Sequence, residues 1–547
     1  MRLCVQKIEV WILAQLLLTV LTFFTTLNPV NCIHTLGFVM SLDAILISPT
    51  DNVVTLLKNC EQGQEIQFSL NGCVQKVLLK ENISFGHKVA ITAIEPKQHI
   101  IKYGESIGIA KQCISPGEHV HVHNVDSARG RGDVANAEKT SETVESICSS
   151  LKLEGTPIVD AKNLTFLGYP RTDGTVGTRN YVAVVSCVVC ANDVVSKLGE
   201  IEGVAGFTHQ QGCSQTKPDI ERIKEILINF AHNPNVGAVL YISLGCESVP
   251  SKEVLLKARE TGKPVELLVI QEEGGASNTI KKAKEIVEVM KSKIAMEPTW
   301  HSFSKLKLGL KCGSSDTTQG LSANVIAGKV TDIFVNAGAT VVMGETTEFM
   351  GAEHIAARRT ANQQTANEII EAVACMEDRA RAIGVDMRGG QPTRGNIEGG
   401  LTTIEEKSLG ALAKSGSAVF QKVINYGERC NDSGLIMMDS PGREPEMLTG
   451  LAASGCNLIL FTTGRGAPQG FPFVPVIKLT GNSRTWQCLH EHMDSYAGEV
   501  MEGKLTYEEK TKEFFKELMD FASGKKTKAE ECSYNNSMNI YVTGPTI

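Results

Sequence analysis

The sequence predicts an α/β protein, in which a small all-β domain is followed by Rossmann-like layers built on parallel sheets. Three observations carry that prediction. Residues 41–125 hold short β-rich runs punctuated by "NG", "YGE" and "PGE", which are turn signals. From Gly168 onward, apolar runs of strand length alternate with amphipathic stretches of helix length, the pattern of parallel strands wrapped by helices. Finally, those apolar runs end in polar, glycine-rich turns, and open parallel sheets bind ligands at the carboxyl ends of their strands.

Taken in order, residues 1–39 form an apolar leader. The run "VWILAQLLLTVLTFF" at 10–24 follows Arg2 and Lys7 and has about signal-peptide length, short of the ~20 residues of a membrane span. A signal, an anchor and an extension outside the folded protein are all open readings. Residues 41–125 contain "DAILISP", "EIQFSL", "KVLLK", "KVAITAI" and "HVHVHN", each read as a strand. Residues 126–165 are polar without an apolar period and read as a linker; the "RGD" at 131–133 within it is a chance triplet. The first α/β domain, 166–300, repeats strand, loop and helix three times, beginning with "NYVAVVSCV", "GAVLYISLGCE" and "VELLVIQEEGG". The second, 301–547, follows with "LKLGLKCGSSD", "ATVVMGETTE", "GLIMMDSP" and "NLILFTTGRG".

Composition excludes several function classes. A net charge of −7 and a pI near 6.0, with no long basic run, argue against nucleic acid as a partner. Sixteen cysteines in 547 residues show no disulfide framework. No G-x-G-x-x-G or P-loop stands at a first strand end, so no nucleotide is expected.

Two sets of residues could hold a metal. In "GEHVHVHN", His119, His121 and His123 alternate, so an extended strand would line them along one face; His121 and His123, with His87 of "GHK", form a histidine set. The same alternation also fits an ordinary half-buried strand. The second set is the strand-end thiols Cys190, Cys213, Cys246 and Cys312, which would favour a soft metal or an iron–sulfur cluster; Cys187 and Cys190 also make a C-x-x-C. Cys60, Cys73, Cys375 and Cys456 read as small buried hydrophobes. In "TTGRG", Arg465 stands among backbone amides, suited to clamping a carboxylate or merely to capping a strand end.

The motifs "GHKVAITAI", "IIKYGESIGIA", "GYPRTDGTVGTRNYV", "FTHQQGCSQ", "LGCE", "KCGSSDTTQGLSAN", "GNIEGGLTTIEEKSLG" and "LFTTGRGAP", in this order, resemble the altronate/galactarate dehydratase family from about Leu42 to the C-terminus. The N-terminal module is similar to that family's SAF-type β-clip. "HQQGC" and the Arg394 of "QPTRGN" depart from the family pattern and bear on substrate specificity. The family also includes the two-subunit sulfolactate sulfo-lyases.

The resemblance implies a cytoplasmic hydro-lyase that converts a sugar acid of the altronate or galactarate type to a 2-keto-3-deoxy acid, with a divalent metal, Fe(II) being the expected ion. An iron–sulfur cluster ranks second, because no local cysteine run is present. Such a reaction needs a base for the α-proton, an electrophile for the enediolate and an acid for the departing β-hydroxyl. The residues assigned are His209 and Glu247 as acid and base, with Arg465 as the cationic partner. Asp316, Asn396, Thr463, Gly464 and Gly466 are assigned to substrate, and Asp316, Glu345 and Glu348 also offer hard-metal ligands. Metal ligands come from His87, His121 and His123, or from Cys213, Cys246 and Cys312, with His119 facing solvent. Lys407 reads as a helix-surface residue. The site is expected at the seam between clip and body, and a homodimer is the expected assembly. The rival readings are a sulfolactate sulfo-lyase and a secreted or membrane-tethered binding protein, the latter resting on the leader, the "RGD" and sequons at Asn82, Asn163, Asn431 and Asn535.

Overall fold

A computed structural model describes residues 42–128, 159–387, 391–536 and 538–547. The apolar leader, the "RGD" and residues 129–158 of the expected linker lie outside the described residues. Among the described residues no helix is long and apolar enough to cross a membrane.

The clip contains nine strands: β1 (Ala44–Ile45), β2 (Val53–Leu56), β3 (Glu65–Leu70), β4 (Cys73–Leu78), β5 (Lys88–Ala90), β6 (His99–Lys102), β7 (Glu105–Ala110), β8 (His119–Val120) and β9 (Val125–Asp126). They form a four-stranded sheet β1-β2-β5-β8, a three-stranded sheet β6-β7-β9 and the hairpin β3-β4. Val54, Leu56, Ile66, Phe68 and Val89 build one small core between them. The "HVHVHN" stretch departs from the expected strand. Pairing stops at Val120, and Asn124 turns the chain by accepting the His121 amide on its side chain and returning its own amide to the His121 carbonyl. The regular alternation of the histidines is therefore broken after one step.

The body begins with β10 (Thr165–Pro170) and β11 (Val176–Gly177), which pair with each other, and β10 pairs on its other side with β16 (Thr299–Ser302). The first α/β layer is a parallel sheet of β12 (Tyr181–Ser186), β13 (Val204–Phe207), β14 (Val236–Ser243) and β15 (Val265–Val269) in the order β13-β12-β14-β15. All eight residues of β14 are buried, as expected of a parallel strand covered on both faces. One face, with Val182, Val184 and Leu240, packs on the helix α1 (Asn192–Leu198) and on α4 (Ala276–Ile294). The other, with Val185 and Tyr241, packs on α2 (Lys217–His232) and α3 (Ser251–Arg259) and merges with the core of the second layer through Met447, Leu448 and Phe461.

The second layer is a seven-stranded sheet of β17 (Lys307–Gly313), β18 (Thr340–Met343), β19 (Phe420–Ile424), β20 (Gly434–Met438), β21 (Leu458–Thr463), β22 (Val476–Thr480) and β23 (Ser495–Tyr496), ordered β19-β20-β18-β17-β21-β22-β23 and parallel throughout. Its longer helices are α5 (Ala323–Asn336), α6 (Gln363–Ala382), α7 (Ile404–Leu412), α8 (Glu444–Ala453) and α9 (Tyr507–Ala522). The chain then returns to the first layer, where Met538 and Ile540 enter its core and the amides of Thr543 and Gly544 bind Asp219.

Candidate functional site

The clip meets the body through a buried charge triad. Lys88 of β5 and Lys102 of β6 both reach the carboxylate of Glu406 on α7, at 2.9 and 2.8 Å, and all three side chains are at most 1 % exposed. Glu406 also accepts the amide and hydroxyl of Thr402, and Lys88 donates to the Gly400 carbonyl. Burial alone would raise the Glu406 carboxyl, but the two ammonium groups hold it far below the usual carboxylate range. Burial, with Lys102 beside it, lowers Lys88 to about 8, whereas the attraction of Glu406 outweighs burial at Lys102 and raises it. Backbones touch here too. A Cβ on Gly400 would lie 2.4 Å from the Gly86 carbonyl oxygen and 2.6 Å from Thr317 Oγ1, so only glycine permits this approach.

Immediately after Gly86, His87 joins His119 and His121. Their ligand atoms lie within 4.8 Å of one another, and this is the one such group of histidine, cysteine or carboxylate side chains among the described residues. His87 Nδ1 and His119 Nε2 are 2.9 Å apart, and the His119 and His121 rings stack at 5.1 Å between centroids. Burial, reinforced by neighbouring positive groups, lowers His87, takes His119 to about 3 and takes His121 to about 4. At neutral pH the three imidazoles are therefore uncharged, with lone pairs to offer. His121 Nδ1 is buried and has no hydrogen-bond partner. An uncharged three-nitrogen set with an orphaned buried nitrogen fits a divalent transition ion. Two assignments change: His119, expected to face solvent, completes the group, and His123 is exposed beyond it, its ring 5.5 Å from that of His119. The turn after Val120 is the reason.

Phe85 and Gly86 also form one wall of a cavity of about 560 Å³ whose other walls come from the body, including Asp316, Glu398, Asn482, Thr485 and two arginines, Arg465 and Arg484. Asp316 follows β17 and caps the short helix Thr317–Leu321, accepting from the Thr318 hydroxyl at 2.6 Å, the Gln319 amide at 3.2 Å and Asn482 Nδ2 at 2.7 Å. Burial lifts its carboxyl above the ordinary range even against those donors. Gly464 is glycine because a Cβ there would come within 2.3 Å of the Asp316 carboxyl. Thr463 at the end of β21 accepts the Gly466 amide, and Gly466 itself has φ +90°. Asn396 donates to the Ser315 carbonyl at 2.8 Å and so ties the 393–400 loop to Asp316. Arg465 does not stand free as a clamp: it pairs with Glu398 at 3.1 Å and donates to the Gly395 carbonyl. Glu398 is held ionised, its carboxyl lowered by Arg465 and Arg394.

The proposed acid and base lie elsewhere. His209 follows β13 and is buried, with Nε2 on the Ser186 carbonyl at 2.8 Å and Nδ1 accepting the Gln211 amide at 3.1 Å. Both nitrogens are engaged, which leaves the ring none for proton transfer in this arrangement; burial takes it to about 4. Glu247 follows β14 and accepts from the Ser243 hydroxyl and, at 2.7 Å, the Gly245 amide. Burial works to raise its carboxyl, and those donors lower it further, so it stays a carboxylate. The cysteine set also divides. Cys190, Cys213 and Cys246 are exposed at the carboxyl end of the four-stranded sheet, whereas Cys312 is buried in the seven-stranded one against Ser315 and Gln319, its thiol raised by burial.

A third feature was only partly anticipated. Lys311 pairs with Glu345 at 2.7 Å and Lys414 with Glu348, all four buried behind the carboxyl ends of β17 and β18. Glu345 has φ +68°, a left-handed backbone that a glutamate adopts only under constraint, and burial beside Glu348 lifts its carboxyl to about 7. Lys407, expected on a helix surface, is buried and donates to Gln391. Sequence reasoning also missed Lys88, Glu398, Glu406, Asn482 and Arg484. The "TIEE" of α7 reads as a capping box, and Thr403 does cap the Glu406 amide, but the Glu406 carboxylate turns to the clip's lysines instead.

Comparison with known proteins adds to this geometry. Profiles described as "Altronate/galactarate dehydratase SAF domain", "D-galactarate dehydratase/Altronate hydrolase, second domain" and "D-galactarate/Altronate dehydratase, C-terminal" match residues 42–128, 168–295 and 303–546. The chain is 31% identical over 526 residues to an altronate dehydratase of Bacillus subtilis, covering 92% of this chain and 99% of the relative. It is 30% identical to the galactarate dehydratase (L-threo-forming) of Escherichia coli, over 92% of this chain and 97% of that one. The beta subunit of the (2R)-sulfolactate sulfo-lyase of Chromohalobacter salexigens is 37% identical over 380 residues, 68% of this chain and 96% of that subunit.

Proposed function

Because the chain belongs to the altronate/galactarate dehydratase family, we propose that it dehydrates a sugar acid of the altronate or galactarate type to a 2-keto-3-deoxy acid, at the seam between clip and body. The observation that carries this placement is the neutral His87–His119–His121 group, contiguous through Gly86 with a cavity that offers two arginines and a buried carboxyl.

His87, His119 and His121 would hold a divalent ion, Fe(II) being the expected one, and it would supply Lewis acidity to the bound sugar acid. The remaining work falls to side chains. Arg465 and Arg484 draw the anionic substrate into the cavity and neutralise its carboxylates; Glu398 keeps the Arg465 guanidinium in place. Of the two carboxyls on the cavity wall, Glu398 is held ionised while Asp316 has the raised proton affinity. Environments that push two carboxyls apart divide acid from base: the ionised Glu398 is the group to take up the α-proton, and Asp316 the one placed to hand a proton to the departing hydroxyl. Asn482 and Thr318 fix its orientation. The volume, about 560 Å³, accommodates a six-carbon acid with its water.

A C–S lyase acting on a sulfonate is the second reading, favoured by the higher identity of the body to the sulfo-lyase subunit. The test is one panel. The full chain is purified without oxygen and given altronate, galactarate, related sugar acids and sulfolactate, with and without Fe(II). A metal-dependent keto acid from a sugar acid supports the first reading. Sulfite from sulfolactate replaces it with the second, and inactivity across the panel with metal bound refutes both.

A further inference from the structure

The three exposed thiols at the carboxyl end of the four-stranded sheet stand on loops that are built together. Cys190 follows β12, Cys213 follows β13 and Cys246 follows β14, so three neighbouring parallel strands each deliver one cysteine to the same end. The loops are laced by their backbones: the Val189 amide binds the Gln211 carbonyl, and the Ser248 amide binds the Gly212 carbonyl, both at 2.9 Å. A Cβ on Gly212 would sit 2.6 Å from the Cys187 carbonyl oxygen, so the second loop is pressed directly on the first. Gly212 (φ +108°) and Ser214 (φ +54°) put left-handed backbone on both sides of Cys213, and Gly245 (φ +120°) does so before Cys246. Such turns curl the chain into amide-lined concavities of the sort that hold anions and iron–sulfur clusters. The C-terminal segment braces the array, with Asn539 on the Gln210 amide and the Gln211 side chain, and the Ile547 amide on the Ser214 carbonyl.

We propose that Cys190, Cys213 and Cys246 jointly ligate an iron–sulfur cluster, in a site separate from the clip histidines. Spacing separates a cluster from a single ion. Three thiolates on one ion, each about 2.3 Å from it, bring their sulfurs within roughly 4 Å of one another. Among the described residues these three thiols do not meet within 4.8 Å, a distance the histidine group satisfies. A cube-shaped cluster places each thiolate on a different iron and spreads them further apart. Each thiol loses its proton on binding, and three ligands for four irons leave one iron to a solvent oxygen. Glu247, adjacent in sequence to Cys246, is kept ionised by Ser243 and Gly245.

The test uses the full chain and does not depend on turnover, so it stands or falls apart from the assignment of the seam. Apoprotein is incubated without oxygen with ferrous iron and sulfide, desalted, and assayed for iron, acid-labile sulfide and the visible sulfide-to-iron absorption. Uptake of about four sulfides per chain is expected, with about four irons beyond the one that the clip histidines take. Cys190→Ser, Cys213→Ser and Cys246→Ser should each lose at least nine-tenths of the absorption. Cys488→Ser and the pair His87→Ala with His121→Ala should keep it. In the unaltered chain, alkylation read by mass spectrometry should spare these three thiols when the cluster is present and modify them when it is not, a readout that needs no variant to fold. Iron without stoichiometric sulfide, or equal alkylation with and without the treatment, overturns the proposal.

Discussion

Replacing Glu406 with glutamine removes the one negative charge that Lys88 and Lys102 share at 2.9 and 2.8 Å, with none of the three side chains more than 1 % exposed. The glutamine has the same shape and can still accept from Thr402, so the change isolates charge from packing. Breaking a buried ion pair by removing one partner costs about 3–5 kcal/mol, because an uncompensated charge remains. Two ammonium groups are stranded here, yet Lys88, at about 8, sheds its proton at modest cost once the carboxylate is gone. That relief places the expected loss near ~3 kcal/mol at neutral pH and makes it smaller at pH 9. Since the triad joins clip to body, the loss should appear as early release of the clip. Urea unfolding followed by limited proteolysis between clip and body reads it, as does weaker metal retention, because His87 is the neighbour of Lys88. The wild-type contribution of Glu406, whose folded carboxyl is lowered, is present above its unfolded value near 4.5 and fades as the pH falls below it. A Glu406→Gln protein within ~1 kcal/mol of wild type, with the clip equally protected, would refute the reasoning.

Three further outcomes follow from the geometry. With His119 at about 3 and His121 at about 4, protons compete with metal for those two ligands only near and below pH 4, and burial lowers His87 as well, so the affinity measured by titration should fall at a pH below the ordinary imidazole value; a steep loss centred near 6.5 would contradict the burial argument. Glu345→Gly relieves a backbone strain of ~1 kcal/mol but strands the buried Lys311, at about 3–5 kcal/mol, so calorimetry should show a net loss of roughly 2–4 kcal/mol rather than a gain. Asp316→Asn keeps an acceptor for Thr318 and Gln319 but loses the acceptor for Asn482 and the group that can hand over a proton; it should lower kcat by ~10²-fold or more in a protein that still folds, and retention of activity would remove Asp316 from the reaction.

Much of the architecture was legible because it rests on local pattern. The long buried strands β14, β17 and β21 appear as continuous apolar runs with glycine-rich ends, and all three were read as such. Two strands were not: β13 has four residues, one of them a glycine, and β19 carries an exposed Gln421 next to its first residue, so neither displays a period. The histidine stretch shows the limit at the site. Alternation was visible, but the turn that discards His123 and keeps His119 depends on the Asn124 side chain closing on the His121 amide. Pairings across hundreds of residues, such as Lys88 with Glu406, leave no trace in spacing at all. Cysteines after separate strands likewise looked like one set until the topology assigned the buried Cys312 to a different sheet.

The most direct measurement compares keto-acid formation from altronate and galactarate by the wild-type chain and by His121→Ala, both prepared without oxygen and assayed with excess Fe(II). A 2-keto-3-deoxy product from the wild type, with at least ~10²-fold less from the folded variant, is the predicted result. Equal turnover by the two proteins would contradict the assignment of the active site to the seam between clip and body.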